Sequence, residues 1–120
     1  MTKVGEHVTF DIIGTQKEYD PKFYEKLVYK IAKKAKVVVL EISKYKFEPQ
    51  GFTLVALLAE SHISFHTFPE KGIISFDFFT CGKVSPSVAL DVLKKEIKHT
   101  RIIKKEFNRD TVDYLSLIHI

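Results

Sequence analysis

The side chains most capable of chemistry cluster between residues 60 and 70, and the chain's single cysteine follows at position 81. A strand with a purely structural role would need far fewer polar side chains. A serine or cysteine close to a histidine is the combination used for nucleophilic and acid–base chemistry. The segment is therefore the first candidate for a functional site, and its sequence is Glu60-Ser61-His62-Ile63-Ser64-Phe65-His66-Thr67-Phe68-Pro69-Glu70.

The residues alone leave three interpretations of this segment open. The first is a zinc site, because alternate residues of one continuous strand share a face and histidines with a carboxylate can bind zinc. The second is the water-exposed face of an antiparallel strand. The third is covalent chemistry, with Ser61 or Cys81 as nucleophile or proton carrier and a histidine as base. The face of the zinc interpretation carries Glu60, His62, Ser64 and His66.

The surrounding sequence predicts elements that would position this segment. Apolar alternation predicts a strand at 7–13, and β-branched or aromatic runs predict strands at 36–47, 52–60, 61–67, 72–80 and 101–107. Asp20-Pro21 and Ser85-Pro86 each place a capping residue before a proline, which is typical of a helix start. Apolar residues then recur every four positions in both helices, as Phe23, Leu27, Ile31 and Ala35 and as Ala89, Leu93 and Ile97.

The order β-α-β-β-β-β-α-β predicts an α+β fold, a two-layer sandwich of a mostly antiparallel sheet with two helices on one face. The opposite face of the sheet must then be polar or meet a partner. The 120 residues suffice for a single domain. The charged residues 108–110 and the apolar run 115–120 are assigned to no element, so 108–120 is treated as a tail.

Composition excludes several classes of protein. The longest apolar run, residues 54–59, is far shorter than the ~18 residues of a spanning helix, and the N-terminus has no signal-peptide core. We therefore expect a cytoplasmic protein with no membrane partner. A single cysteine excludes an internal disulfide. The net charge is +4, but the lysines fall mainly in the two predicted helices and their ends, where a water-exposed face explains them without a nucleic-acid partner.

Two runs, LAESHISFHTFPEKG at 58–72 and DFFTCG at 77–82, resemble the signature of the short prokaryotic S-adenosylmethionine decarboxylases. These are pyruvoyl enzymes of polyamine synthesis. The similarity includes Gly5-x-His7 and the run KFEPQG at 46–51, and it covers about residues 4–107. The resemblance implies a carboxy-lyase that converts S-adenosylmethionine to the aminopropyl donor for spermidine synthesis.

The resemblance also implies that the enzyme makes its own cofactor, a pyruvoyl group derived from Ser61. The Ser61 hydroxyl would attack the carbonyl of Glu60, and loss of the Ser61 α-proton would then release Glu60 as a carboxylate. Tautomerisation and hydrolysis would leave a pyruvoyl group, which forms a Schiff base with the substrate. Cleavage between these residues would give a β chain of 1–60 and an α chain of 61–120.

The resemblance further implies roles for individual residues. His66 matches the base that takes the α-proton, and Cys81 matches the proton donor to the decarboxylated substrate. Phe47 matches an aromatic that stacks on adenine, and Glu70 an acid that binds the ribose hydroxyls. Thr53 stands where the family usually has a serine that assists processing. No metal is implied, and the expected assembly is a homodimer of αβ units whose active sites each draw on both subunits.

The sequence departs from the family pattern at Phe68, which replaces a tryptophan, at Thr53-Leu54, which replaces a Ser-Gly pair, and in its apolar C-terminal run. Two other functions remain open. One is an arginine decarboxylase of the same family, although such members alter the turn that here keeps Pro69-Glu70. The other is a non-enzymatic basic binding module, which would leave the serine, histidine and cysteine of the signature unexplained.

Overall fold

The computed structural model describes residues 3–110. The apolar run at 115–120 lies outside the described residues. Strands and helices follow in the predicted order, and both connections around the polar segment are short. Their bounds are β1 (Lys3–Ile13), α1 (Pro21–Ala35), β2 (Val39–Lys46), β3 (Phe52–Leu58), β4 (Ser61–Phe68), β5 (Ile73–Thr80), α2 (Ala89–Glu96) and β6 (Arg101–Asp110).

The strands form one sheet in the order β2-β3-β4-β5-β1-β6, with every neighbouring pair antiparallel. Strands β2 to β5 are a meander, whereas β1 lies between β5 and β6. The two helices pack against each other and share one buried cluster with a single face of the sheet. The predicted α+β sandwich is therefore confirmed. Strand β4, which carries the polar segment, lies inside the sheet.

Alternate residues of the strands face the helices and form the core. Tyr24 of α1 shows how the two layers meet, because its ring centroid lies 5.3 Å from those of Phe52 in β3 and Phe65 in β4. Burying a side chain of this kind contributes about 1.5–3 kcal/mol to stability. Burial also raises the pKa of Tyr24 far above its ordinary value, so its hydroxyl stays neutral. The helix layer thus fixes β3 and β4 from one side.

The two predicted helix starts differ in the structure. At the first, the Asp20 carboxylate accepts a hydrogen bond from the Phe23 N–H at 3.2 Å, and α1 begins at Pro21 as predicted. At the second, the Ser85 hydroxyl accepts from the Ser87 N–H at 3.2 Å, and the Ser85 carbonyl accepts from the Val88 N–H at 3.3 Å, which closes a 3-10 turn over Pro86–Val88. The α-helix therefore begins at Ala89 rather than at the proline. Neither helix of residues 3–110 is long and apolar enough to cross a membrane.

Several strand ends differ from the sequence prediction, including the start of β1, which lies at Lys3 and not at residue 7. Strand β2 begins at Val39, because Lys36 adopts a left-handed conformation (φ 57°) that caps α1. Strand β3 ends at Leu58, so Glu60 belongs to a turn and not to a strand. Strand β6 continues to Asp110 because β1 extends far enough to pair with it. Residues 108–110 are thus part of the sheet and not of a tail.

Candidate active site

The peptide bond between Glu60 and Ser61 lies where a tight turn enters β4. Glu60 has φ +60°, a left-handed conformation that costs a residue with a side chain about 1–2 kcal/mol. Its carbonyl oxygen accepts a hydrogen bond from the backbone N–H of Cys81 at 3.0 Å. Glu60 is therefore held in a strained backbone conformation, and its carbonyl is polarised by a hydrogen bond, which favours nucleophilic attack on that carbon.

Ser61 is the first residue of β4, and its side chain faces the helix layer with only 6% of its surface exposed. Its hydroxyl donates a hydrogen bond to the Thr80 hydroxyl oxygen at 2.6 Å, and the two residues are register partners across β4 and β5. The sequence analysis did not single out Thr80. Antiparallel pairing across a short turn could have found it, since Thr80 directly precedes Cys81.

Cys81 follows β5 immediately and is exposed. Its backbone bond to Glu60 brings the thiol-bearing residue to the same end of the sheet as Ser61. Three of the predicted site residues, Glu60, Ser61 and Cys81, thus meet within one protomer. We call this group the cleavage end of β4. It brings a hydroxyl, a polarised backbone carbonyl and a thiol-bearing residue to one place.

His66 is not part of the cleavage end. It lies five residues further along β4, which at roughly 3.4 Å per residue separates its Cα from that of Ser61 by about 17 Å. It also faces the opposite side of the sheet, because the separation is an odd number of residues. There its Nδ1 lies 3.0 Å from the Thr53 hydroxyl oxygen, its register partner on β3. His66 and Thr53 therefore meet, but away from the Ser61 of the same chain.

Phe47 and Glu70, the two predicted substrate contacts, lie beyond the far end of β4. Phe47 follows β2, is half-exposed, and has its ring centroid 4.9 Å from that of Tyr45. Glu70 lies in the 3-10 turn after β4 and accepts a hydrogen bond from the Gln50 side chain at 3.2 Å. Phe68 ends β4 on the open face with a 38% exposed side chain. We call this part of the molecule the binding end; it comprises Phe47, Phe68 and Glu70, with His66 and Thr53 beside them.

The zinc interpretation required Glu60 as a ligand on the same strand face as His62 and His66. Glu60 instead lies in the turn before β4 and does not share that face. Among residues 3–110, no three His, Cys, Asp or Glu side chains are close enough to hold a metal ion. Ser64 instead donates a hydrogen bond to Asp77 at 3.4 Å, and the other carboxylate oxygen of Asp77 lies 3.0 Å from His7 Nε2. These side chains form a polar network across β4, β5 and β1.

The sheet face opposite the helices combines this network with exposed apolar side chains. Four of them are between 38% and 51% exposed, namely Val55, Leu57, Phe68 and Phe107. Exposed apolar side chains grouped on one surface are typical of an interaction site. The sequence analysis expected this face to be polar or to meet a partner. The face carries a polar network and also an exposed apolar surface that a partner could cover.

Comparisons with known proteins identify relatives over nearly the whole described chain. A family model described as S-adenosylmethionine decarboxylase matches residues 6–110. The S-adenosylmethionine decarboxylase proenzyme of Brevibacillus brevis is 37% identical over 108 residues, which are 88% of this chain and 81% of the relative. The proenzyme of the same name from Methanococcus vannielii is 34% identical over 116 residues, or 94% of this chain and 95% of the relative.

A solved structure agrees with these relatives. The crystal structure of the adenosylmethionine decarboxylase from Aquifex aeolicus matches with a TM-score of 0.81 and 32% sequence identity. The match covers 95% of this chain and 97% of that chain. The resemblance drawn from the two sequence runs is therefore confirmed over both sequence and fold.

Proposed function

This chain belongs to the S-adenosylmethionine decarboxylase family, and we infer that it decarboxylates S-adenosylmethionine after cutting itself between Glu60 and Ser61. The relatives are named proenzymes, which implies that a chain of this family is processed before it acts. The observation that carries the assignment to this bond is its geometry. The Glu60 carbonyl accepts a hydrogen bond from the Cys81 N–H, and the neighbouring buried Ser61 hydroxyl is held by a hydrogen bond to Thr80. The product would be the aminopropyl donor for spermidine synthesis.

Self-cleavage at this bond follows ordinary acyl chemistry. The Ser61 oxygen bonds to the Glu60 carbonyl carbon, the C–N bond breaks, and the hydroxyl proton ends on the Ser61 nitrogen. A base then takes the Ser61 α-proton, and the electron pair expels Glu60 as a carboxylate while leaving dehydroalanine. Tautomerisation and addition of water release ammonia. The proposed products are a β chain of 1–60 and an α chain of 61–120.

The cofactor we propose is the pyruvoyl group that this reaction leaves at position 61. Such a group supplies a ketone that takes up the electron pair left when carbon dioxide departs. The surroundings of Ser61 fit it, because position 61 is buried against the core while the exposed Cys81 lies directly beside it. In this arrangement the Cys81 thiol returns a proton to the substrate carbon, and the adjoining turn stays open to substrate.

Replacing Cys81 separates processing from turnover. We expect Cys81→Ala to be cut normally, because the backbone N–H that binds the Glu60 carbonyl is retained. Release of carbon dioxide should fall by about 10²–10⁴-fold, the usual contribution of a positioned acid. We also expect faster inactivation during turnover, because protons then reach the wrong carbon. Intact mass reports the cut and labelled carbon dioxide reports turnover; unchanged turnover in the cut variant removes the thiol from the mechanism.

We propose a homodimer in which each active site combines the cleavage end of one subunit with the binding end of its partner. The support is distance, since a separation of about 17 Å along β4 is too large for His66 to reach the Ser61 of its own chain. The open sheet face supplies the exposed apolar surface for such a contact. Two copies related by a two-fold axis would bring opposite ends of β4 together twice.

The binding end has the chemistry that S-adenosylmethionine needs. The Phe47 ring is half-exposed and available to stack on adenine, and it can also lie near the sulfonium charge. The Glu70 carboxylate has accepting oxygens for the two ribose hydroxyls, with Gln50 bonded to one of them. Phe68 keeps an aromatic ring where the family has tryptophan but offers no N–H donor. Arginine has neither an adenine ring to stack on Phe47 nor a pair of ribose hydroxyls for Glu70, so it would use this end less completely.

The experiment that tests the proposed function measures carbon dioxide release from carboxyl-labelled substrates by the processed wild-type enzyme. We expect release from S-adenosylmethionine and none from arginine. Intact mass confirms beforehand that the chain is cut between residues 60 and 61. Release from arginine alone would overturn the substrate while leaving the pyruvoyl chemistry, and a cut enzyme that acts on neither substrate would overturn the decarboxylase assignment for this chain.

A further inference from the structure

We propose that Thr80 is a positioning residue for self-cleavage, which holds the Ser61 hydroxyl while the adjoining backbone holds the Glu60 carbonyl. The inference rests on the self-cleavage proposed above and adds a residue to it. Thr80 lies at the end of β5, opposite Ser61 in the register of the sheet. It touches the reacting serine directly and takes no part in the net transfer of protons.

The contact between the two hydroxyls is short, buried and directional. Ser61 Oγ donates to Thr80 Oγ1 at 2.6 Å, and only 1% of Thr80 is exposed. The same Thr80 oxygen accepts the backbone N–H of Gly82 at 2.9 Å. A hydroxyl oxygen has two acceptor positions, so both are occupied. Thr80 therefore holds the Ser61 side chain in one orientation where little water can compete.

The attacked carbonyl is held by the next residue along the chain. Cys81 N–H donates to the Glu60 carbonyl oxygen at 3.0 Å, so residues 80–82 bind both the nucleophile and its target. Strand β1 packs closely against this segment, because a Cβ added to Gly5 would lie only 2.7 Å from the Thr80 carbonyl oxygen. Holding two reacting groups on one short segment is the arrangement that speeds an intramolecular reaction.

The proposed role ends with the first chemical step. As the Ser61 oxygen bonds to the Glu60 carbon, the C–N bond breaks and the proton moves to the Ser61 nitrogen, which converts the amide to an ester. Loss of the α-proton follows and belongs to the base. A variant that lacks the Thr80 hydroxyl should therefore accumulate uncut amide, whereas a variant that lacks His66 should accumulate the ester. Hydroxylamine cleaves the ester and not the amide, so it distinguishes the two.

The test follows cleavage of freshly translated chain for Thr80→Val, which removes the hydroxyl and keeps the branched shape. We expect the first-order rate to fall by about 10–100-fold, with no hydroxylamine-sensitive material. Thr80→Ser should restore the rate to within a few-fold of wild type. The matched control is Thr67→Val, because Thr67 is also buried but its hydroxyl has no hydrogen-bond partner among the described residues. That control should be cut at the wild-type rate.

Thermal unfolding of each purified variant checks the fold. If Thr80→Val is unstable, the pair Thr80→Ala and Thr80→Ser makes the same comparison, since both lack the methyl group and differ only in the hydroxyl. Equal cleavage rates within that pair, or accumulation of ester in a variant without the hydroxyl, would overturn the role of Thr80. Failure of the wild type to cut at all would instead overturn the proposed self-cleavage.

Discussion

Ser61→Ala is expected to remain a single uncut chain without decarboxylase activity. No hydroxyl is then available to attack the Glu60 carbonyl, and no pyruvoyl group can form at position 61. Among the described residues, the substitution removes one buried oxygen whose hydrogen-bond partner is the Thr80 hydroxyl, so we expect the fold to be retained. Intact mass after prolonged incubation reports the cut, and carboxyl-labelled S-adenosylmethionine reports activity. Wild type should give two polypeptides of similar size, the α chain blocked to Edman sequencing.

The matched control for that variant is Ser87→Ala. Ser87 lies in the 3-10 turn before α2, and its hydroxyl donates a hydrogen bond to Glu106 at 2.8 Å and not to the residues of the cleavage end. Its replacement should leave cleavage and turnover at wild-type levels. Cleavage of Ser61→Ala at residue 60 would show that another nucleophile attacks this bond, and the proposed origin of the cofactor would then be wrong.

Much of this fold follows from local sequence. Asp20 before Pro21 predicted the start of α1, and the alternation of Val8, Phe10 and Ile12 predicted the buried face of β1. The place of β1 between β5 and β6 could not be predicted in the same way, because it depends on pairing between residues far apart in the chain. The conformation of Glu60 was also missed. A two-residue turn imposes a positive φ there, and a non-glycine residue gives no signal of it.

The candidate site likewise combines features that the sequence predicted with features that only the structure revealed. Ser61, His66 and Cys81 were proposed from a family signature, but a signature does not say which residues share a subunit. The sequence did contain part of that answer, since a five-residue separation on a strand puts two side chains on opposite faces. Thr80 could be found only through the register of β4 and β5, which the turn at 69–72 determines.

Shared active sites predict that two inactive variants restore cleavage to each other. We expect a heterodimer of His66→Ala with Ser61→Ala to cut its His66→Ala chain, because that chain keeps Ser61 and receives a base from its partner. Neither homodimer should be cut completely, since one lacks the nucleophile and the other the base. The variants carry different tags and are co-expressed, and the doubly purified heterodimer is analysed by intact mass. We expect one chain to be cut and the other to stay whole.

The control replaces the donor with a chain that carries both Ser61→Ala and His66→Ala. Its heterodimer with His66→Ala has no His66 in either subunit and should stay uncut, which shows that restored cleavage comes from the imidazole and not from pairing itself. If His66 instead acted within its own chain, the first heterodimer would also stay uncut, since no chain in it has both residues. If wild type is cut normally, that result would show that the active site is not shared between two subunits. His66 and Ser61 of one chain, which lie roughly 17 Å apart along β4, would then have to approach each other through a large rearrangement.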